Sequence, residues 1–103
     1  MKQVRDAFTC FMQEAPEQAQ AWMDTVKKLD KTSALDSKTE EVAYIAVLAA
    51  SGLLSGIPFH VKHAKELGVS RDEIKSAILL PLPAVGNKVI SALPIALAAY
   101  DNA

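Results

Sequence analysis

The chain reads as an all-α protein, a single-domain bundle of about six helices. Three observations predict this. Apolar residues recur at spacings of three and four, the period of a helix face. No stretch alternates apolar and polar residues as a half-buried strand would. Helix-start and helix-stop residues punctuate the chain at regular intervals.

The elements follow in order. Val4, Phe8, Phe11 and Met12 have helical spacing, with Cys10 beside them. Pro16, a good first-turn residue, opens P-E-Q-A-Q-A-W-M-D-T-V-K-K-L, where Ala19, Trp22, Met23, Val26 and Leu29 form one stripe. The polar run D-K-T-S-A-L-D then breaks the period and reads as a linker. It separates N-terminal helices over 1–34 from a core over 35–103 within one domain of 1–103. Ser37 to Glu40, S-K-T-E, is a capping-box pattern that predicts a helix start at Ser37. The helix it launches, E-E-V-A-Y-I-A-V-L-A-A, is the most apolar of the chain and is expected to be buried on nearly all sides. A turn over Gly52 to Gly56 leads to Pro58 and the helix F-H-V-K-H-A-K-E-L, which Gly68 closes as a C′ residue would. Ser70-Arg-Asp-Glu73 is a second capping box and opens the next helix. Pro81 and Pro83 are expected to kink or end it, and the final helical segment from Asn87 to Tyr100 is expected to bend at Pro94.

Composition narrows the function. Half of the 103 residues are hydrophobic, with four Gly and five Pro, enough for a packed core. Folding alone would leave a short chain much exposed surface, so some apolar residues are expected to meet other subunits. A net charge of −1 with no basic run longer than Lys27-Lys28 argues against nucleic acid as a partner. Residues 42–59 carry no charge over eighteen positions, near the lower limit of a spanning helix. Ala, Ser and Gly make up eight of those eighteen residues and the second part reads as a turn, so a core helix is the better reading and no membrane association is expected. One cysteine excludes an intrachain disulfide. The start M-K-Q-V-R-D-A-F-T-C lacks the apolar run of a signal peptide, and a cytoplasmic location is the expectation.

Three residues stand out chemically. Glu41 is read as a first-turn carboxylate whose face continues to apolar Ile45, so it is either solvated or partly buried and suited to proton transfer. His60 and His63 are three apart and neighbours on one helix face. A neutral imidazole serves as acid or base near pH 7. The plain alternative is one partly buried histidine and one facing water, with Glu66 as a surface partner for His63. A histidine pair without HExxH is a weak zinc signal, and neither a metal nor a cofactor is expected. Cys10, on an apolar helix with only Arg5 as a nearby base, reads as a structural small hydrophobe.

Together these residues carry a resemblance. K-T-E-E-V-A-Y-I-A-V-L-A-A-S-G and H-V-K-H-A-K-E-L-G-V-S-R-D-E-I-K-S-A-I, with the later P-A-V-G-N-K-V-I-S-A-L-P-I-A, resemble the carboxymuconolactone decarboxylase family and its alkylhydroperoxidase AhpD-like relatives, over roughly residues 35 to 100. The motif positions are Lys38, Thr39, Glu41, His60, Ala64 and Gly68, then Asp72-Glu73-Ile74. The resemblance implies an AhpD-like bundle that assembles as trimers or hexamers, with Glu41 and His60 at the two ends of a proton relay. The peroxidase branch places a CxxC between them. Those cysteines fall here on Leu53 and Gly56 and the inner histidine on Ser55, none of which can do thiol chemistry. The decarboxylase branch needs no cofactor and no CxxC. The resemblance therefore implies a lyase-like, cofactor-independent proton transfer or decarboxylation on a small organic acid or lactone, with Glu41, His60 and His63 as catalytic residues. Two alternatives stand beside it: an antioxidant, peroxidase-type activity moved to Cys10, and a non-catalytic binding or scaffold role. A clamp for an anionic substrate would have to come from Lys62, Lys65 or Lys88.

Overall fold

The structure, a computed structural model, describes residues 2–103, with side chains from Ala7 onward. The side chains of Val4 and Arg5 lie outside the described residues. The chain is helical throughout and divides into two units, Met1–Ala34 and Leu35–Ala103.

The first unit is a pair of helices, α1 (Lys2–Glu14) and α2 (Pro16–Thr32). Ala15 joins them and Pro16 opens α2, where its missing N–H costs nothing because the first turn has no intrahelical acceptor to meet. Phe8 and Phe11 meet edge to face at 6.3 Å. Of the α2 stripe only Ala19 is buried, whereas Trp22, Val26 and Leu29 are exposed. Cys10 is also exposed, against the expectation of a buried small hydrophobe.

The second unit holds the core. It begins with α3 (Ser37–Ser51), whose cap is Asp36 and not the expected Ser37. The Asp36 carboxylate accepts from the Thr39 backbone N–H at 2.8 Å, which holds its pKa below the usual value. A carboxylate is a charge-assisted acceptor and outcompetes the serine hydroxyl one residue later. Gly52 ends α3 in the left-handed region at φ 73°. One 3₁₀ turn over Leu54–Gly56 then leads into α4 (Ile57–Glu66), with Pro58 in its first turn. Gly68, at φ 92°, follows α4 as predicted. The second capping box is complete. Ser70 Oγ accepts from Glu73 N at 3.1 Å, and Glu73 Oε1 accepts from Ser70 N at 2.8 Å, opening α5 (Arg71–Leu79).

The expected break at Pro81 and Pro83 is present: α5 ends at Leu79, and a turn over Leu80 and Pro81 follows. A four-residue α6 (Leu82–Val85), a 3₁₀ segment over Gly86–Ser91 and α7 (Ala92–Asp101) then follow α5 without an intervening loop, a succession of short helical elements from Arg71 to Asp101 that counts as one run. The described chain therefore has five continuous helical runs instead of about six. Pro81 and Pro83 fall at the cap and first turn of α6, and Pro94 is third in α7. In the first turn of a helix the N–H has no helical acceptor, so Pro81 and Pro83 are tolerated where α5 has ended and α6 begins, and Pro94 where the 3₁₀ segment passes into α7. By length and composition alone this run is apolar enough to cross a membrane. Its Ile74, Ile78, Val89 and Ala96 are nevertheless fully buried in the core.

That core joins Ile45, Leu48 and Ala49 of α3, Ile57, Val61 and Ala64 of α4, and Ile74, Ala77 and Ile78 of α5, with Val89 and the alanines of α7. Fully burying each large aliphatic stabilises by about 1.5–3 kcal/mol, and alanine on α7 lets that backbone come close. Arg71 grips Asp101 through two bonds of 2.8 and 3.1 Å, tying the start of α5 to the end of α7. Tyr100 Oη donates to the Val69 carbonyl at 2.9 Å. α3 is not buried all round. Tyr44 and Val47 are exposed, so the helix has an apolar outer face.

Candidate active site

α3 and α4 pack against each other, and the turn between them brings Glu41 to His60, nineteen residues away. Because Asp36 is the cap, Glu41 stands in the second turn of α3 and not the first. The helix dipole fades within one turn, so the carboxylate depends on specific partners. Those partners are the two histidines. Glu41 Oε1 is hydrogen-bonded to His60 Nδ1, and Glu41 Oε2 to His63 Nδ1 at 2.9 Å. The spacing of three on α4 places both rings on one helix face, and that face meets the carboxylate. His63 thus turns to Glu41, and not to Glu66 as in the plain alternative.

Burial grades across the cluster. The Glu41 side chain is 13% exposed, His60 26% and His63 45%. One carboxylate therefore serves two imidazoles of different solvent access. An ionised carboxylate offers only acceptors, so each neutral ring must carry its hydrogen on Nδ1. Nε2 is then the bare, basic nitrogen of each ring. The arrangement fixes orientation and tautomer together, as an orienting acid does for a catalytic histidine.

Two aromatic rings complete the surroundings of His60. Tyr44, three residues after Glu41, lies 4.6 Å from the imidazole centroid at a 57° tilt. Phe59 stands edge-on at 5.2 Å and is 71% exposed. Neither was singled out from the sequence. The i, i+3 relation of Glu41 and Tyr44 was a signal that could have found Tyr44. For Phe59, adjacent to His60, there was no such signal.

The site is open. Four surface cavities of about 320 to 530 Å³ lie elsewhere, and none is lined by Glu41, His60 or His63. Among the described residues, no Lys or Arg pairs with Glu41. Lys65 donates to the Tyr100 carbonyl at 2.8 Å and lies over that ring. The stem of Lys88 lies against Gly52, where an added Cβ would come within 3.3 Å of its Cε. Lys62 is exposed. No group of three or more His, Cys, Asp or Glu is arranged to hold a metal ion among the described residues. Leu53 is exposed and Gly56 packs under Leu48, so the stretch between Glu41 and His60 contributes no thiol.

The all-helical fold, with Glu41 on one helix and His60 on the next, agrees with the AhpD-like bundle that the sequence resemblance implies. Residues 16–98 match the model of the Carboxymuconolactone decarboxylase family, and the chain belongs to that family. The match begins at Pro16, so it reaches back across α2, beyond the segment that carried the resemblance. A carboxymuconolactone decarboxylase family protein from Legionella pneumophila, solved in its apo form, superposes with a TM-score of 0.81. It is 24% identical, and the alignment covers 98% of this chain and 90% of that one, a likeness of fold. No curated protein matches the chain.

Proposed function

We propose that this protein carries out cofactor-independent proton transfer or decarboxylation on a small organic acid or lactone. The observation that supports this most is the hydrogen bond from His60 Nδ1 to Glu41 Oε1, formed in a half-buried setting between two helices. Glu41 holds the proton on Nδ1, and Nε2 of His60 is the base. When Nε2 removes a proton from a carbon acid, the resulting imidazolium stands beside the Glu41 carboxylate, which stabilises it. In a decarboxylation the bond to the carboxylate carbon breaks and CO₂ leaves. The proton comes from the substrate's own carboxylic acid, which passes it to Nε2 as the bond breaks. The electron pair stays on the substrate as an enolate, and the imidazolium then returns that proton to carbon. General acid–base catalysis of this kind contributes about 10²- to 10⁴-fold.

Assembly belongs to the same reading. The core unit exposes Tyr44, Val47, Leu53 and Phe59, which favours a homo-oligomer, a trimer or hexamer, in which another subunit encloses the open site. The redox alternative gains one observation, the exposure of Cys10. Peroxide consumption by wild type that disappears in Cys10→Ser would favour it.

The test is a panel of lactones and oxo acids assayed with wild type and His60→Ala. Turnover by wild type, lost by about 10²-fold or more in the variant, is the expected result. Equal rates across the panel leave the fold with a binding or scaffold role and end the catalytic reading.

A further inference from the structure

His60 and His63 make the same bond to the same carboxylate, yet they differ in everything else. We infer that His63 is a positioning residue: its Nδ1–H holds Oε2 of Glu41 and so aims Oε1 at His60, while His60 alone meets substrate. The inference deepens the proton-transfer reading above, but its primary measurement needs no substrate.

Three observations carry it. The first is the freedom of the carboxylate. The terminal torsion of a glutamate is broad and roughly two-fold, so one N–H at Oε1 would leave the carboxylate plane free to turn. Two donors one helical turn apart on the rigid backbone of α4 fix it. The second is the lack of a substitute. The hydrogen-bond partners of the Glu41 carboxylate among the described residues are the two imidazoles, and its 13% exposure leaves water little room to replace either. The third is the aromatic setting. Tyr44 and Phe59 both stand against the ring of His60, and His63 has no aromatic neighbour among the described residues. A substrate that packs against those rings arrives at His60. His63, at 45% exposure, sits on the solvent side of the carboxylate.

Three substitutions separate the donor from the bulk of the ring. His63→Asn keeps an N–H where Nδ1 stood, because the asparagine amide nitrogen is also one bond from Cγ. His63→Asp has the same shape but only acceptors, and turns a second carboxylate toward Glu41. His63→Ala removes both shape and donor. The readout is the pair of ring-nitrogen ¹⁵N resonances of His60 in the intact, substrate-free protein, at a pH where both rings are neutral. Wild type and His63→Asn are expected to show His60 in the Nδ1–H form. His63→Asp and His63→Ala are expected to show a mixture of tautomers, with the circular dichroism of the helices unchanged.

In turnover, His63→Asp and His63→Ala should lower kcat by about 10- to 100-fold with KM nearly constant, and His63→Asn should recover most of that loss, as misplacing a catalytic group by about 1 Å does. A His60 tautomer identical in wild type, His63→Asp and His63→Ala overturns the inference. So does a wild-type His63 carrying its proton on Nε2. A tautomer that shifts as expected, in a protein with no turnover on any substrate, supports the positioning role and refutes the catalytic reading.

Discussion

Glu41→Gln separates what the carboxylate does for stability from what it does for chemistry. Glutamine has nearly the same shape but one carbonyl oxygen and one NH₂ in place of two acceptors. In wild type each carboxylate oxygen is met by an imidazole nitrogen. In the variant one ring keeps its Nδ1–H and donates to the amide oxygen. The other must release that hydrogen and accept from the amide NH₂, which moves its proton to Nε2. Both hydrogen bonds survive, but neither is charge-assisted. A bond to a charged group contributes about 1.5–3 kcal/mol and a neutral one about 0.5–1.5. The His63 bond is nearly half exposed and counts for less. The expected loss is about 1–2 kcal/mol, read as a lower urea midpoint at unchanged slope. Catalysis should suffer far more, because in every molecule the imidazolium formed at His60 loses the negative charge beside it, and whenever His60 is the switched ring its basic nitrogen is gone as well. A fall of about 10²- to 10⁴-fold in kcat is expected. The measurements are urea unfolding and initial rates at neutral pH, with ¹⁵N resonances reporting the tautomers. A rate unchanged within about twofold, with both rings still in the Nδ1–H form, would refute the reasoning.

Three further predictions test the scaffold, its acid dependence and the two thiol positions. Ser70→Ala removes half of the capping box of α5 and should cost about 1 kcal/mol by chemical denaturation. Asp36, Glu73, Asp72 and Asp101 are all held below their ordinary values, the first two mainly by backbone N–H groups, Asp72 by Lys75 and Asp101 by Arg71. Their native forms therefore bind fewer protons than the unfolded chain, so stability is full above the unfolded carboxyl pKa near 4 and falls as pH drops through the native values. Acid titration of the urea midpoint checks the sign, and a midpoint that rises below pH 4 would contradict it. The double substitution Leu53→Cys and Gly56→Cys should fold like wild type. A Cβ at Gly56 meets only the Leu48 methyl groups at 3.4 Å, and the backbone there has φ −83°. In a Cys10→Ser background it should gain reductant-dependent peroxide consumption, and helices that form without any such gain would show that Glu41 and His60 cannot serve a thiol.

Local chemistry made much of this protein legible before any coordinates. A 3.6-residue period, the Ser70 capping box, Pro58 at a helix start and Gly68 at φ 92° each act within a few residues, so the α class and several helix ends could be read directly. Where two local signals competed, the stronger acceptor won, as Asp36 did over Ser37. Pro81 and Pro83 mark the end of α5 as a local reading suggests, whereas the short α6 and the 3₁₀ segment that follow them at once, leaving five runs in place of about six, carry no such local signal. Residue type and spacing nominated Glu41, His60 and His63. Only packing decided that the two imidazoles share one carboxylate, that Tyr44 and Phe59 stand against one ring, and that Cys10 and the outer face of α3 stay exposed. Contacts across nineteen and twenty-two residues depend on how α3 and α4 are angled and rotated against a common core. That docking is set by the summed fit of Ile45, Leu48, Ile57 and Val61, a property of the whole packing and of no single stretch of chain.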